Sequence, residues 1–117
     1  MISHVVLFRA KANLSHDERE GLVNAFEHAV QRIPTVRAVR VGRRVTVGAV
    51  YEQRSGDSAD VFIAIDFDDV AGLRTYLEHP AHIELGERFN RAAGTALVFD
   101  FDVTQDASGI LAFLQPE

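Results

Sequence analysis

The sequence predicts an α+β fold in which strands and helices follow the order β-α-β-β-α-β. Three observations lead to it. Runs of β-branched and aromatic residues occur near both ends of the chain and at residues 60–67, as in strands. Apolar residues recur at helical spacing after a capping signal near residue 15. A second helical region precedes the last strand. This order is the ferredoxin-like split β-α-β pattern.

The first half of the chain contains a strand, a long helix and a second strand. Residues 3–8 are the strand. Ser15, with Glu18 three residues later, forms a capping box. The helix that follows ends at Pro34, and its apolar positions are Leu22, Val23, Phe26, Ala29, Val30 and Ile33. Residues 36–47 are strand-like, although Gly42 interrupts them.

The second half repeats the pattern with a broken helix. A polar loop is predicted at residues 51–60, followed by a strong strand at 60–67. Two helical segments, 70–78 and 80–93, lead to the last strand at 95–103. We therefore assign residues 1–104 to one domain. Residues 105–117 form a tail whose apolar residues predict packing on the protomer or on a partner (Ile110, Leu111, Phe113 and Leu114).

The composition limits the possible classes of function. The chain of 117 residues fits one globular domain, and its 12 basic and 17 acidic residues give a net charge of −5. That charge argues against nucleic acid or an anionic membrane as a partner. There is no cysteine, so a disulfide, a thiolate nucleophile and a cysteine zinc site are excluded. A cytoplasmic protein with no membrane span is expected.

The strands suggest that both faces of the sheet are buried. The segments 5–8, 61–65 and 97–99 are continuously apolar instead of alternating. Two helical regions cover one face only. The other face could be covered by the tail or by a second copy of the chain. Because the tail is too short to cover four strands, we favour a two-fold homodimer.

Residues 76–82 combine a phenol and two imidazoles around a proline. The residue before a proline is pushed out of the helical region, and proline is favoured at the first position of a helix. One helix should therefore end near His79 and the next should begin at Pro80. His82 then lies in the first turn, where the helix dipole disfavours a charged imidazole. Such a ring could act as a base, or both histidines could be capping or packing residues.

Three segments of the chain resemble the stress-responsive A/B barrel domain family, the dimeric α/β barrels. They are the opening Met1–Phe8, the His79-Pro80-Ala81-His82 motif and the strand around Phe99-Asp100-Phe101. The resemblance covers about residues 1–104. It implies a ferredoxin-like protomer that pairs sheet to sheet into a barrel, in agreement with the two-sided strands.

The resemblance also implies candidate site residues. Most of the family has no assigned activity, but one plant branch consists of polyketide cyclases that carry out an aldol condensation. The working positions of that branch correspond here to His4, Tyr76, His82 and Asp100. This chain departs from that branch at Arg40, Arg43 and Arg44 and in its central loop, so the substrate does not carry over.

The residues themselves suggest how such a site would work. On the last helix, His82 shares an apolar stripe with Leu85 and Phe89, so its ring should face the sheet. If Asp100 faces the helices, its carboxylate could accept a hydrogen bond from His82 and leave the other ring nitrogen as a general base. Tyr76 could donate to a carbonyl or enolate oxygen. We expect His79 and Phe89 to line the same pocket.

Two other kinds of site are less well supported. A metal held by His79 and His82 with Glu78 or Glu84 lacks an evident third ligand, so no metal is expected. The arginines at 37, 40, 43 and 44 could bind an anionic ligand or the acidic groups of a partner, although a solvated strand edge is the favoured explanation. No cofactor is expected, since Gly86 and Gly94 do not form a phosphate loop. The sequence therefore predicts a barrel-domain protein of unassigned activity with a pocket for a small apolar or polyketide-like ligand; the alternative is a cyclase or lyase that uses His82 as its base.

Overall fold

The computed structural model describes residues 1–115 and confirms the predicted α+β fold; Pro116 and Glu117, the end of the predicted tail, lie outside the described residues. The elements in chain order are β1 (Ile2–Ala10), α1 (His16–Arg32), β2 (Ala38–Arg43), α2 (Glu52–Ser55), β3 (Val61–Phe67), α3 (Val70–Glu78), α4 (Pro80–Ala92), β4 (Ala93–Asp102) and, after a 3-10 turn at Ala107–Gly109, α5 (Ile110–Phe113).

Most predicted boundaries agree with the structure to within two residues, but two predicted segments differ more clearly. The strand predicted at 36–47 ends at Arg43, and the apolar residues that follow lie in an exposed loop. The loop predicted at 51–60 contains the short helix α2. This loop is held by its own polar contacts: the carboxylate of Glu52 accepts hydrogen bonds from the backbone N–H groups of Val47, Gly48 and Ala49. Local hydrogen bonding of this kind leaves no periodic signal in the sequence.

The four strands form one antiparallel sheet in the order β2-β3-β1-β4. The central strand β1 places His4 opposite Ile65 on one side and opposite Asp100 on the other. Side chains alternate between faces along each strand. His4, Ile65 and Asp100 therefore belong to the same face of the sheet, because directly paired residues point the same way.

The three longer helices, α1, α3 and α4, each begin where a side chain accepts a hydrogen bond from a free backbone N–H group. Ser15 accepts from the N–H of Glu18 at 3.1 Å, which confirms the predicted start of α1. Asp69 accepts from Gly72 at 2.8 Å at the start of α3. Each such cap contributes roughly 1 kcal/mol to stability. The break between α3 and α4 falls at His79–Pro80, as the sequence predicts.

The core lies between the helices and one face of the sheet, which we call the cavity face. Its largest fully buried side chains are Tyr76, Phe67, Ile33 and Ile65. Ala29 of α1 is completely buried against this cluster. Small residues such as this let α1 approach its neighbours closely, and α1 packs mainly along α4.

The opposite face, which we call the helix-free face, is apolar and open in the single chain. Leu97, Phe99 and Phe101 of β4 point to it and are each about half exposed (48, 48 and 49 %). The rings of Phe99 and Phe101 lie 6.0 Å apart. On the same face, one carboxylate oxygen of Asp66 is buried with no hydrogen-bond partner among residues 1–115.

The tail does not cover this face. The four apolar residues that predicted its packing are 56 to 72 % exposed: Ile110, Leu111, Phe113 and Leu114. The single chain therefore leaves these residues largely uncovered, and packing of the tail on its protomer or on a partner stays a prediction. None of the helices within residues 1–115 has the length and apolar character needed to cross a membrane.

Candidate functional site

A cavity of about 580 Å³ lies between the cavity face of the sheet and helices α1, α3 and α4. Its volume falls within the range of about 300–1,000 Å³ typical of small-molecule sites. Every strand of the sheet contributes to its wall, and most of the wall is aliphatic or phenylalanine. Val23 and Val41 belong to the wall but are 50 and 67 % exposed, so the cavity opens between α1 and β2.

The polar end of this cavity consists of His4, Tyr76 and His82. The ring of Tyr76 lies between the two imidazoles, with centroids 5.8 Å from His4 and 4.6 Å from His82. Three of the four predicted site residues therefore meet in one place. The fourth, Asp100, does not line the cavity but lies behind His4.

Tyr76 is held in the core, and its hydroxyl is kept protonated. The residue is 1 % exposed, and burial raises the pKa of its phenol well above its usual range. The hydroxyl makes no hydrogen bond to another group in the described part of the chain, although the ring packs against Phe67 at 5.2 Å. A buried phenol without a partner is ready to donate to a ligand oxygen.

His82 has a defined tautomer. Its Nδ1 lies 3.1 Å from the carbonyl oxygen of Leu77. A carbonyl can only accept, so Nδ1 must carry the hydrogen and Nε2 of the neutral ring keeps its lone pair. Burial lowers the pKa of His82, the hydrogen bond to Leu77 opposes this, and the electrostatic influence of the neighbouring His4 adds to the lowering. The ring is therefore neutral near pH 7, as predicted, but burial is the main cause.

The predicted hydrogen bond between His82 and Asp100 is wrong. Nδ1 of His4 instead donates to the Asp100 carboxylate at 2.6 Å. The two residues are paired directly across β1 and β4, where side chains stand about 5 Å apart. The strand register thus makes Asp100 the hydrogen-bond acceptor of His4. The acceptor of His82 is instead the carbonyl oxygen of Leu77.

The two remaining predicted pocket residues have different outcomes. Phe89 lines the cavity and packs edge-on against Phe8, with centroids 5.1 Å apart. His79 does not line the cavity. Its Nδ1 accepts the backbone N–H of Ala81 at 3.0 Å and so caps α4, and its ring borders a separate groove beside His28. Prediction of His79 as a pocket residue is wrong because capping turns the ring towards its own helix.

Among the arginines, Arg37, Arg44 and Arg9 have structural contacts. Arg37 forms an ion pair with Asp68 at 2.8 Å. Arg44 and Arg9 donate to the carbonyl oxygens of Gly56 and Asp57 in the loop before β3. Within residues 1–115 no group of three or more histidine or acidic side chains is placed to hold a metal ion.

The sequence pattern does not reveal that α1 and β2 contribute to the cavity wall. It identifies Leu22 and Phe26 only as part of the apolar stripe of α1, and Val41 only as a strand residue. Apolar periodicity does not distinguish a residue packed in a core from one that borders an empty space. Glu27 also lines the cavity and is partly exposed, which places a carboxylate near the opening.

Comparison with known proteins agrees with this architecture. The sequence profile of the family described as Stress responsive A/B Barrel Domain matches residues 2–103. Olivetolic acid cyclase from Cannabis sativa is 21 % identical over 100 residues, which cover 86 % of this chain and 94 % of that protein.

Two solved structures show the same fold. The hydroxynitrile lyase from Passiflora edulis superposes with a TM-score of 0.74 at 16 % identity, covering 90 % of this chain and 94 % of that one. A dimeric ferredoxin-like protein of unknown function from Thermobifida fusca gives a TM-score of 0.66 at 22 % identity, covering 87 and 90 %. At these identities the likeness concerns the fold alone, and it confirms the ferredoxin-like protomer.

Proposed function

We propose that this chain, which belongs to the stress-responsive A/B barrel domain family, binds a neutral and largely apolar small molecule that carries a carbonyl group. The observation that carries this proposal is the cavity of about 580 Å³ with Tyr76 and His82 at its polar end. A long apolar wall favours a hydrocarbon chain or ring, and a few convergent polar groups fix its orientation.

The charges of the lining favour an uncharged ligand. Among the described residues, no lysine or arginine lines the cavity, whereas Glu27 lies near its opening. The imidazole of His4 is already engaged by the carboxylate of Asp100. A ligand carboxylate would lose its hydration without gaining a basic partner, which costs several kcal/mol.

A second copy of the chain is proposed to cover the helix-free face. The half-exposed Leu97, Phe99 and Phe101 form an apolar surface of the kind that soluble proteins use for association. Structural relatives such as the Thermobifida fusca protein are dimeric. The ligand cavity lies on the other face, so each protomer keeps its own.

Binding can be tested with hexanophenone, a neutral ketone with an aryl ring and an aliphatic chain. A Cβ atom at Gly86, in the cavity wall, would meet no atom within 4 Å. We expect Gly86→Leu to fill this space and abolish hexanophenone binding in calorimetry. Leucine is the better helix former by roughly 1 kcal/mol, so the variant should stay folded.

The exposed neighbour provides the control. Glu87→Leu adds the same side chain on α4 outside the cavity and should leave the Kd unchanged. Equal binding by wild type and Gly86→Leu would contradict the proposed site. Absence of binding to the wild type would contradict the proposed ligand class.

The defined tautomer of His82 supports a second candidate, catalysis of the cyclase or lyase type. Nε2 with its lone pair could remove a proton from the carbon beside the carbonyl, and Tyr76 could donate to the resulting enolate oxygen. Relatives of this fold include proteins named as a cyclase and as a lyase. These names concern the relatives, so the activity needs its own test.

Proton removal can be measured as deuterium exchange beside the carbonyl of hexanophenone in D₂O by NMR. A positioned general base contributes typically about 10²–10⁴-fold, so His82→Ala should reduce any catalysed exchange by that factor. Tyr76→Phe should reduce it less. Exchange no faster than in buffer, with hexanophenone bound, would leave binding as the function and reject this second candidate.

A further inference from the structure

The break between α3 and α4 leaves one backbone carbonyl oxygen free to accept a hydrogen bond from a side chain. In a continuous helix the carbonyl of Leu77 would accept the backbone N–H of Ala81, four residues later. Here that N–H is turned to Nδ1 of His79 at 3.0 Å. The Leu77 oxygen is left free at the end of α3, and Nδ1 of His82 donates to it at 3.1 Å.

The backbone N–H of Ala81 needs a hydrogen-bond acceptor within the protein, because Ala81 is only 6 % exposed. A buried N–H group without an acceptor costs roughly 1–3 kcal/mol. The backbone is extended at His79, so if the ring of His79 were absent, the Ala81 N–H could reach the Leu77 carbonyl, its acceptor in a continuous helix, only by a shift of the first turn of α4. Such a shift would move the Leu77 carbonyl relative to the His82 ring that now donates to it.

We infer that His79 is a positioning residue that fixes the tautomer of His82 by capping Ala81. It does not touch the cavity; its effect passes through its hydrogen bond from Ala81 and through the hydrogen bond from His82 to the Leu77 carbonyl. The two histidines of the His-Pro-x-His element thus have different tasks. The consequence for ligand chemistry rests on the proposed function, whereas the hydrogen-bond arrangement does not.

The test is the tautomer of His82, read from long-range ¹H–¹⁵N NMR spectra of the full chain at pH 7.5. A His82→Gln variant assigns its signals among the five histidines. The wild type should show hydrogen on Nδ1. His79→Ala should lose this single tautomer and show hydrogen on Nε2, alone or in a mixture. His79→Asn, which can still accept at an N-cap, should restore the wild-type tautomer.

Two results would overturn the inference: hydrogen on Nε2 in the wild type, or an unchanged tautomer in a folded His79→Ala protein. If His79→Ala does not fold, the wild-type protein still provides a test. The ¹⁵N–¹⁵N coupling across the hydrogen bond from Ala81 to His79 should be detectable, and its absence would also overturn the inference. Loss of hexanophenone binding with these spectra unchanged would reject only the proposed function.

Discussion

Both faces of the sheet carry apolar strand residues, but the two faces differ in what covers them in the single chain. Val98 and Phe99 are neighbours on β4 with nearly the same exposure in the single chain, 50 and 48 %. Val98 lines the cavity beneath the helices, whereas Phe99 points to the helix-free face. Exposure alone would assign them the same role.

Their surroundings separate them. The cavity face is enclosed by three covering helices and ends in polar rings, so it can hold one small molecule. The helix-free face bears adjacent aromatic rings without a comparable enclosure, which suits a flat macromolecular surface. Under the proposed function, one strand would therefore serve two kinds of recognition through alternate residues.

The strongest test of this comparison is substitution to lysine in two separate variants, one on each face. Phe99→Lys should raise the dimer dissociation constant at least about 100-fold, because an unpaired ammonium would be buried between the protomers. Val98→Lys should leave association intact and abolish hexanophenone binding. Analytical ultracentrifugation and calorimetry measure the two effects.

The paired outcome decides the assignment of the faces. Loss of the dimer in Val98→Lys would show that the cavity face takes part in association. An intact dimer in Phe99→Lys would show that the helix-free face does not. A monomeric wild type at micromolar concentration would show that the helix-free face does not bind a second copy.

The next largest effect concerns the tail. Because its apolar residues are exposed in the single chain, their burial should require the partner. Deletion of residues 107–117 should lower the Tm of the dimer, at about 4–8 °C for each kcal/mol of lost stability. Differential scanning calorimetry at fixed protein concentration gives the shift.

The monomeric Phe99→Lys variant is the matched background for this deletion. There the same deletion should change the Tm little. An equal loss in both backgrounds would place the tail on its own protomer, and no loss in either would leave it without a structural role.

On the cavity face, Tyr76→Phe removes a hydroxyl that has no partner in the described chain. The Kd for hexanophenone should rise about 2- to 12-fold, because the variant loses one hydrogen bond to the ligand with a net contribution of about 0.5–1.5 kcal/mol. The Tm should stay close to that of the wild type, because the ring packing against Phe67 is retained. A marked loss of Tm with an unchanged Kd would make the hydroxyl structural.

The smallest expected effect is the pH dependence that His82 gives to stability. Its pKa is lowered from 6.5 in the folded state, mainly by burial, so the unfolded chain binds the proton more readily. This contribution is complete above pH 6.5 and is lost as the pH falls through 6.5 towards the lower folded pKa. In denaturation experiments below pH 6.5, the wild type should lose stability more steeply than His82→Gln. If the unfolding free energies of the two proteins fall in parallel with pH, protonation of the His82 ring does not destabilise the folded state.

Much of the fold follows from local signals, and the site only in part. Ser15 and the His79–Pro80 break fix helix boundaries through hydrogen bonds within a few residues, and the sequence shows them directly. The partner of Asp100 depends on the register between β1 and β4, since His4 and Asp100 are 96 positions apart, and local pattern does not contain this register. Capping by His79 is one of the roles that the sequence allows, but its consequence for His82 depends on the turn geometry.

The buried oxygen of Asp66 is a cost that the protomer bears by itself. It is shielded from water in the single chain and has no hydrogen-bond partner among residues 1–115. An unsatisfied oxygen of this kind costs roughly 1–3 kcal/mol or more. Replacing the carboxylate by an apolar side chain would therefore relieve the folded chain of this cost whether or not a second copy is bound.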